Sequence, residues 1–135
     1  MDWIFKWHLF LTLYMTGLIW FVQVVHYPLM SRVGQGAFIA YERAHTRRTT
    51  WVTMPAMLGE LATGLWLLLR HSDSGLLWAN MILLSLIWMS TFFIQVPLHN
   101  RLSRQFNSSH HRLLVQSNWI RTVLWTLRAG LLLWL

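Results

Sequence analysis

Four apolar runs, at about residues 7–27, 50–69, 76–98 and 113–134, set the frame for this chain. A helix needs roughly 20 mostly apolar residues to cross the hydrocarbon core of a bilayer, and each run has that length. Together they occupy most of the 135 residues. The pattern predicts one all-α domain over residues 1–135, an integral membrane four-helix bundle with no separate soluble catalytic module. Composition agrees, because only 11% of residues are charged against about 25% in ordinary soluble domains. The first run follows Lys6, is too long for a signal peptide and ends in "HYPLMSR" rather than at a small-residue cleavage site, so it is expected to be retained.

The chain has no cysteine, which excludes disulfides, thiolate metal sites and cysteine nucleophiles. Its net charge of +7 is distributed unlike that of a nucleic-acid binder. Arg32, Arg43, Arg47 and Arg48 fall between the first two runs, and Arg101, Arg104 and Arg112 between the last two. The opposite side holds Lys6 and Arg70 against Asp2 and Asp73. Basic connections mark the cytoplasmic side of a membrane. The expected placement is the bacterial cytoplasmic membrane, with both termini external and the arginines against anionic headgroups. The expected partners are the bilayer and a lipophilic small molecule, not nucleic acid, with a homo-oligomer left open. Trp3, Trp7, Trp78 and Trp134 fall at the outer interface and Trp51 at the inner one, where amphipathic rings settle.

Runs two and three are joined by the short polar turn "HSDSG" and form a helical hairpin. The longer first connection contains "GAFIAYERAHTRR", with Phe38, Tyr41 and His45 at helical spacing. It predicts a short amphipathic helix lying on the bundle or on the membrane surface. The segment "FVQVVHYPLMSR" from residue 21 is echoed by "FIQVPLHNRLSR" from residue 93, sharing Phe, Gln, Val, Ser and Arg without a gap. Two related helical hairpins would produce such an echo; so would a shared chemistry of leaving the membrane.

Ionisable groups inside a span cost at least about 2.5–3.5 kcal/mol on insertion scales, so they face the bundle interior and find partners. Each run carries one polar stripe: Thr12, Thr16, Gln23 and His26; Thr53, Glu60 and Gly64; Gln95 and His99; Asn118, Arg121 and Arg128. At a rise of about 1.5 Å per residue most of these groups converge on the cytoplasmic half, with His45 folding over from the connection. His26, His45, His99 and Glu60 are candidate ligands for a transition metal, iron first, with copper and manganese as alternatives. Imidazole and carboxylate suit these metals, and bundle cores host such sites. Gln23 and Gln95 would support the cofactor from behind. Asn118 and Arg121 would hold a substrate oxygen and stabilise its developing charge, while Trp20, Trp88 and Trp125 would wall the pocket. Haem held between His26 and His99 is the alternative cofactor. In a competing reading Glu60 simply pairs with Arg121. Arg128 is expected to snorkel to the outer interface, and His8, His71, His110 and His111 to be solvated.

These features resemble the anthrone-oxygenase-like family of small four-helix membrane proteins. The resemblance runs through "YPLM", "FIAYERAHTRRTT", "TMPAML", "QVPLHNRLS" and "NWIRTVLWTLRAG" and covers nearly the whole chain. Its most specific pieces are Val-Pro-Leu-x-Asn at 96–100 and Asn-x-x-Arg-Thr at 118–122. It implies a four-helix membrane fold and, as in some members, oxidation of polycyclic anthrones to quinones by dioxygen without an added metal. It also implies a role for Asn118 and Arg121 in binding or activating substrate. The chain departs from the family pattern in His26, His45, His99 and Glu60, and this favours a metal-using branch. The expected function is therefore a membrane-embedded, metal-dependent oxidoreductase or oxygenase acting on an aromatic or quinol-like substrate. A proton-coupled carrier and an assembly subunit of a membrane complex are the alternatives from other classes.

Overall fold

Helix α1, Trp3–Arg32, begins where the Asp2 carboxylate accepts the Ile4 amide, 3.3 Å away. Helix α2 follows at Gln35–Arg70, α3 at Gly75–Leu102 and α4 at Ser108–Leu133. Ser74 caps α3 by accepting from Leu77, and Asn107 caps α4 by accepting from His110. The computed structural model describes residues 2–135, and among these there is no strand: the protein is an all-α four-helix bundle.

The expected short amphipathic helix is not separate. It is the first part of α2, a single helix of 36 residues. No glycine or proline interrupts the chain between Gly36 and Pro55, and Pro55 lies on the exposed side of α2 without ending it. Phe38, Glu42, His45, Thr49, Thr53, Met57, Glu60 and Gly64 consequently make one continuous stripe facing the other helices, with Phe38 buried against Phe106.

Helices α1 and α3 each contain one wide π-helical turn, at Val22–His26 and Thr91–Gln95. Each turn ends two residues before a proline, Pro28 or Pro97. Proline has no N–H to give, and its ring crowds the carbonyl one turn earlier; a wider turn relieves both problems without breaking the helix.

Three helices, α1, α2 and α3, are long and apolar enough to cross a membrane. Four were expected; α4 falls short because its buried face carries Ser117, Asn118, Arg121, Thr122 and Arg128. The outward surface is apolar, with Phe93, Leu69 and Ile82 exposed; Trp3, Trp7, Trp78 and Trp134 are exposed near helix ends, and Trp51 is exposed midway along α2. So extensive an exposed apolar surface marks contact with lipid or protein rather than water.

Two apolar clusters fill the interior. One, around Met15, Ile19, Met57, Ile87 and Leu114, lies toward the basic connections, and the other, around Phe5, Leu67, Met81 and Leu132, lies toward the termini. Helix α1 packs on α2 and α4, and α4 packs on α3, leaving α2 against α3 as the loosest pairing. Gly64 permits the close approach at the terminal end: a Cβ there would run into Met81 Sδ and lie 3.0 Å from His8 Cε1. Met81 can swing aside, but His8 is held by Thr63 and Asn80. Gly64→Val is therefore expected to destabilise the protein by about 1–3 kcal/mol through overpacking. Gly17→Ala, at a position with open space around it, should gain up to about 1 kcal/mol of helix propensity. Thermal unfolding in detergent reads both, and an unchanged Gly64→Val midpoint would contradict the close packing.

Candidate functional site

The wide turn of α1 delivers His26 and Tyr27 to the basic end of the bundle, where they meet α2 and α3. His26 Nε2 lies 2.8 Å from His45 Nδ1, and that nitrogen lies 3.1 Å from the Thr49 hydroxyl. The buried Tyr27 hydroxyl is 2.9 Å from His99 Nε2. On the other side of the same ring, His99 Nδ1 contacts Glu42 Oε1. Glu42 is fully buried, and its second oxygen, Oε2, has no hydrogen-bond partner. Arg121 on α4 completes the chain, donating from Nη2 to the Tyr27 hydroxyl over 3.3 Å. Carboxylate, imidazole, phenol and guanidinium thus follow one another in the order Glu42, His99, Tyr27, Arg121. A proton can pass along such a series, because each of its first three members both gives and accepts one.

Arg121 is fixed from behind. Asn118 Oδ1 accepts from its Nε at 3.0 Å and from its Nη2 at 2.7 Å, and Thr91 Oγ1 accepts from Nη1 at 3.4 Å. Asn118 in turn donates to Gln23 Oε1 at 2.9 Å, and Gln23 donates to the Val115 carbonyl at 3.0 Å. Gln23 and Asn118 therefore orient the guanidinium. Gln95 accepts from Ser90 at 2.9 Å and donates to Ser117 at 3.2 Å, bracing α3 on α4. His111, expected in solvent, is buried, and its Nε2 donates to the Tyr27 carbonyl at 2.7 Å. It lies in the first turn of α4, at the basic end of the bundle.

A cavity of about 250 Å³ adjoins these groups. Tyr27, His45, His99 and Arg121 form its polar end, and Met15, Ile19, Met54, Met57 and Trp125 form its apolar walls. Thr46, Thr50, Val96 and Asn100 flank its open side along the loose α2–α3 seam. Mostly apolar walls with a few convergent polar groups are the usual make-up of a small-molecule site.

A second polar network lies deeper, toward the termini. Glu60 pairs with Arg128, and both side chains are fully buried. Arg128 also donates to Asn80 Oδ1 from Nε at 3.2 Å and from Nη2 at 3.1 Å, while Asn80 donates to the Arg128 carbonyl at 3.2 Å. His8 Nδ1 lies 2.8 Å from the Thr63 hydroxyl and its Nε2 lies 3.3 Å from Asn80 Oδ1. The Trp125 indole donates to Glu60 Oε2 at 3.2 Å. Three expectations change here. Arg128 does not snorkel, because Glu60 offers an internal counter-charge; Glu60 pairs with Arg128 rather than Arg121; and His8 is a buried member of this network instead of a solvated residue.

The expected metal ligands are thus divided. His26, His45 and His99 come together, with ring centroids 4.4 Å apart for His26 and His45 and 5.4 Å for His45 and His99. Glu60 belongs to the other network. Both ring nitrogens of His99 are engaged, by Tyr27 and Glu42, and His26 Nε2 is engaged by His45. Among the described residues no group of three or more His, Asp or Glu side chains is arranged to hold an ion. The four expected ligands are therefore not gathered in one place, and His99, engaged on both ring nitrogens, presents no free nitrogen to a haem iron. Of the expected aromatic walls only Trp125 lines the cavity; Trp20 is partly exposed and bonded to Thr126, and the Trp88 indole N–H has no partner.

The sequence reading missed Tyr27, Glu42 and Asn80. Glu42 was discernible, since it precedes His45 by three residues and shares its face once α2 is read as one helix. Asn80 follows the hairpin turn by barely two helical turns, and nothing in its neighbours distinguishes it. Comparison with family models, with curated proteins and with solved structures gives no match.

Removing one member of a buried ion pair leaves an uncompensated charge, typically at a cost of about 3–5 kcal/mol. Glu60→Gln should therefore destabilise strongly, whereas Glu60→Gln combined with Arg128→Met should recover part of the loss. Denaturation in detergent measures both, and equal loss in the single and double variants would count against the pairing.

Proposed function

We propose that the cavity is the active site of a membrane-embedded oxidoreductase or oxygenase acting on a lipophilic phenol or quinol. The observation that carries this reading is the series Glu42, His99, Tyr27, Arg121 ending at an apolar cavity. A phenolic oxygen placed beside Tyr27 and Arg121 gives its proton to the Tyr27 oxygen as the Tyr27 proton moves to His99 Nε2. Glu42 on Nδ1 stabilises the imidazolium that results, and the guanidinium stabilises the phenolate. The apolar walls exclude water and strengthen both interactions. Loss of the proton makes the ring far easier to oxidise.

The resemblance to anthrone-oxygenase-like proteins suggests dioxygen as the acceptor. In an oxidase reaction a quinol gives two protons and two electrons to dioxygen, forming quinone and hydrogen peroxide. In an oxygenase reaction a ring methylene becomes a carbonyl with one oxygen atom, and the other leaves as water. The basic connections favour an orientation with the open side of the cavity at the cytoplasmic headgroup level. No step is assigned to a metal or to haem, because His99 is engaged on both ring nitrogens by Tyr27 and Glu42 and Glu60 is paired with Arg128.

The reading is tested in lipid nanodiscs by oxygen uptake with decyl-hydroquinone as probe. Wild type should consume oxygen well above autoxidation, and Tyr27→Phe and Glu42→Gln should each lower kcat by about 10²–10⁴-fold without a matching fall in unfolding temperature. No uptake above background, or full activity in both variants, would sink it. Elemental analysis supplies a separate check: stoichiometric metal in wild type, lost in His26→Ala/His99→Ala, would replace this reading with a metal-centred one.

A further inference from the structure

Arg121 is 91% buried, being only 9% exposed. Its partners are Asn118, Thr91 and Tyr27, and none of them is a carboxylate. The chain has four acidic side chains in all. Glu60 is taken by Arg128 and Glu42 by His99, while Asp2 caps α1 and Asp73 lies in the α2–α3 turn, both at the far end of the bundle. When His99 holds a proton, Glu42 and His99 form a closed pair and Arg121 is the unmatched charge. A charge in that position needs an anion, because an unpaired ion in a low-dielectric interior is strongly disfavoured.

Donor geometry says where the anion goes. A guanidinium has five N–H donors. Asn118 takes two of those on Arg121, Tyr27 one and Thr91 one, leaving one on Nη1. Arg121 lines the cavity beside Tyr27, and Met54 and Met57 are among its apolar lining residues. The open side runs past Thr50 and Asn100, which are exposed, and Arg47, Arg48 and Arg101 next to them in sequence are exposed as well. Such a basic rim raises the local concentration of anionic amphiphiles at a membrane surface.

We propose that the cavity binds a lipophilic acid as its oxyanion: an amphiphile with a single phenolate or carboxylate head that ion-pairs with Arg121. Its apolar body lies against Met54, Met57 and Trp125, and it enters at headgroup level between α2 and α3. The inference rests on the cavity assigned above, but it concerns binding and holds whether or not the ligand is turned over. Arginine suits the task because its planar fork stays charged and offers directed donors to an oxyanion.

The experiment uses the full chain in phosphatidylcholine nanodiscs and an alkylated 4-nitrophenol, whose phenolate is coloured and resists oxidation. Its methyl ether is the uncharged control, and dodecanoate and phosphatidylglycerol are the competitors. The expected result is phenolate binding at least tenfold tighter than that of the ether, competed by dodecanoate and not by phosphatidylglycerol. Arg121→Gln should abolish the preference, and Arg121→Lys should keep most of it. Equal affinity for phenolate and ether in wild type would overturn the proposal without recourse to any variant. Displacement by phosphatidylglycerol as effective as by dodecanoate would overturn it in favour of a lipid phosphate site. Tight phenolate binding without oxygen uptake by quinols would leave this inference standing and remove the oxidative one.

Discussion

Arg121 and Arg128 lie seven residues apart on one face of α4, and each has to be satisfied without water. The two are treated differently. Around Arg128 the bundle supplies a carboxylate from α2, an amide from α3 and an imidazole from α1, so one guanidinium ties all four helices together. In a bundle whose exterior is as apolar as its interior, close packing and interhelical polar contacts have to do more of the work. Around Arg121 the partners are neutral oxygens, from Tyr27 of α1, Thr91 of α3 and Asn118 of α4 itself. Arg128 is a structural anchor, and Arg121 is a charge left facing a cavity.

Trp125 joins the two regions. Its indole N–H donates to Glu60 while its ring forms part of the cavity wall, and its carbonyl accepts from Thr16 at 3.2 Å. The ion pair therefore fixes the far wall of the site, and a guest in the cavity rests on a side chain that cannot move without disturbing Glu60. A substitution at Glu60 will alter the shape of the site even though Glu60 does not line it.

The bundle was legible in the sequence because four apolar runs leave few other architectures, and inward stripes follow directly from helical periodicity. Gathering of His26, His45 and His99 was legible for the same reason. Pairing was harder. Glu60 lies in the right helix to meet either Arg121 or Arg128, and helical spacing gives the direction of a side chain without the relative height of its neighbours. Glu42 was obscured by a break drawn where α2 continues; as one charge in a basic connection it looked like an offset, not a core residue. Arg128 and His8 were placed at the surface because each lies near a helix end, and their burial depends on partners contributed by other helices.

The repeated segments carry a further lesson about register. Aligned on Gln23 and Gln95, they match in sequence, yet the prolines that follow and the π turns before them are three residues out of step. Aligned on Pro28 and Pro97 instead, His26 falls opposite Gln95, and Met30 opposite His99. The prolines set the backbone, so structural equivalence follows them, and the two glutamines occupy different environments: Gln23 supports Asn118, whereas Gln95 bonds Ser90 and Ser117. The asymmetry is useful to the proposed chemistry. It places Tyr27 and His99 at complementary heights on α1 and α3, so that a phenol from one meets an imidazole from the other. A strict repeat in the register of the prolines would have put a methionine, the counterpart of Met30, at the position of His99 and left Tyr27 without its imidazole.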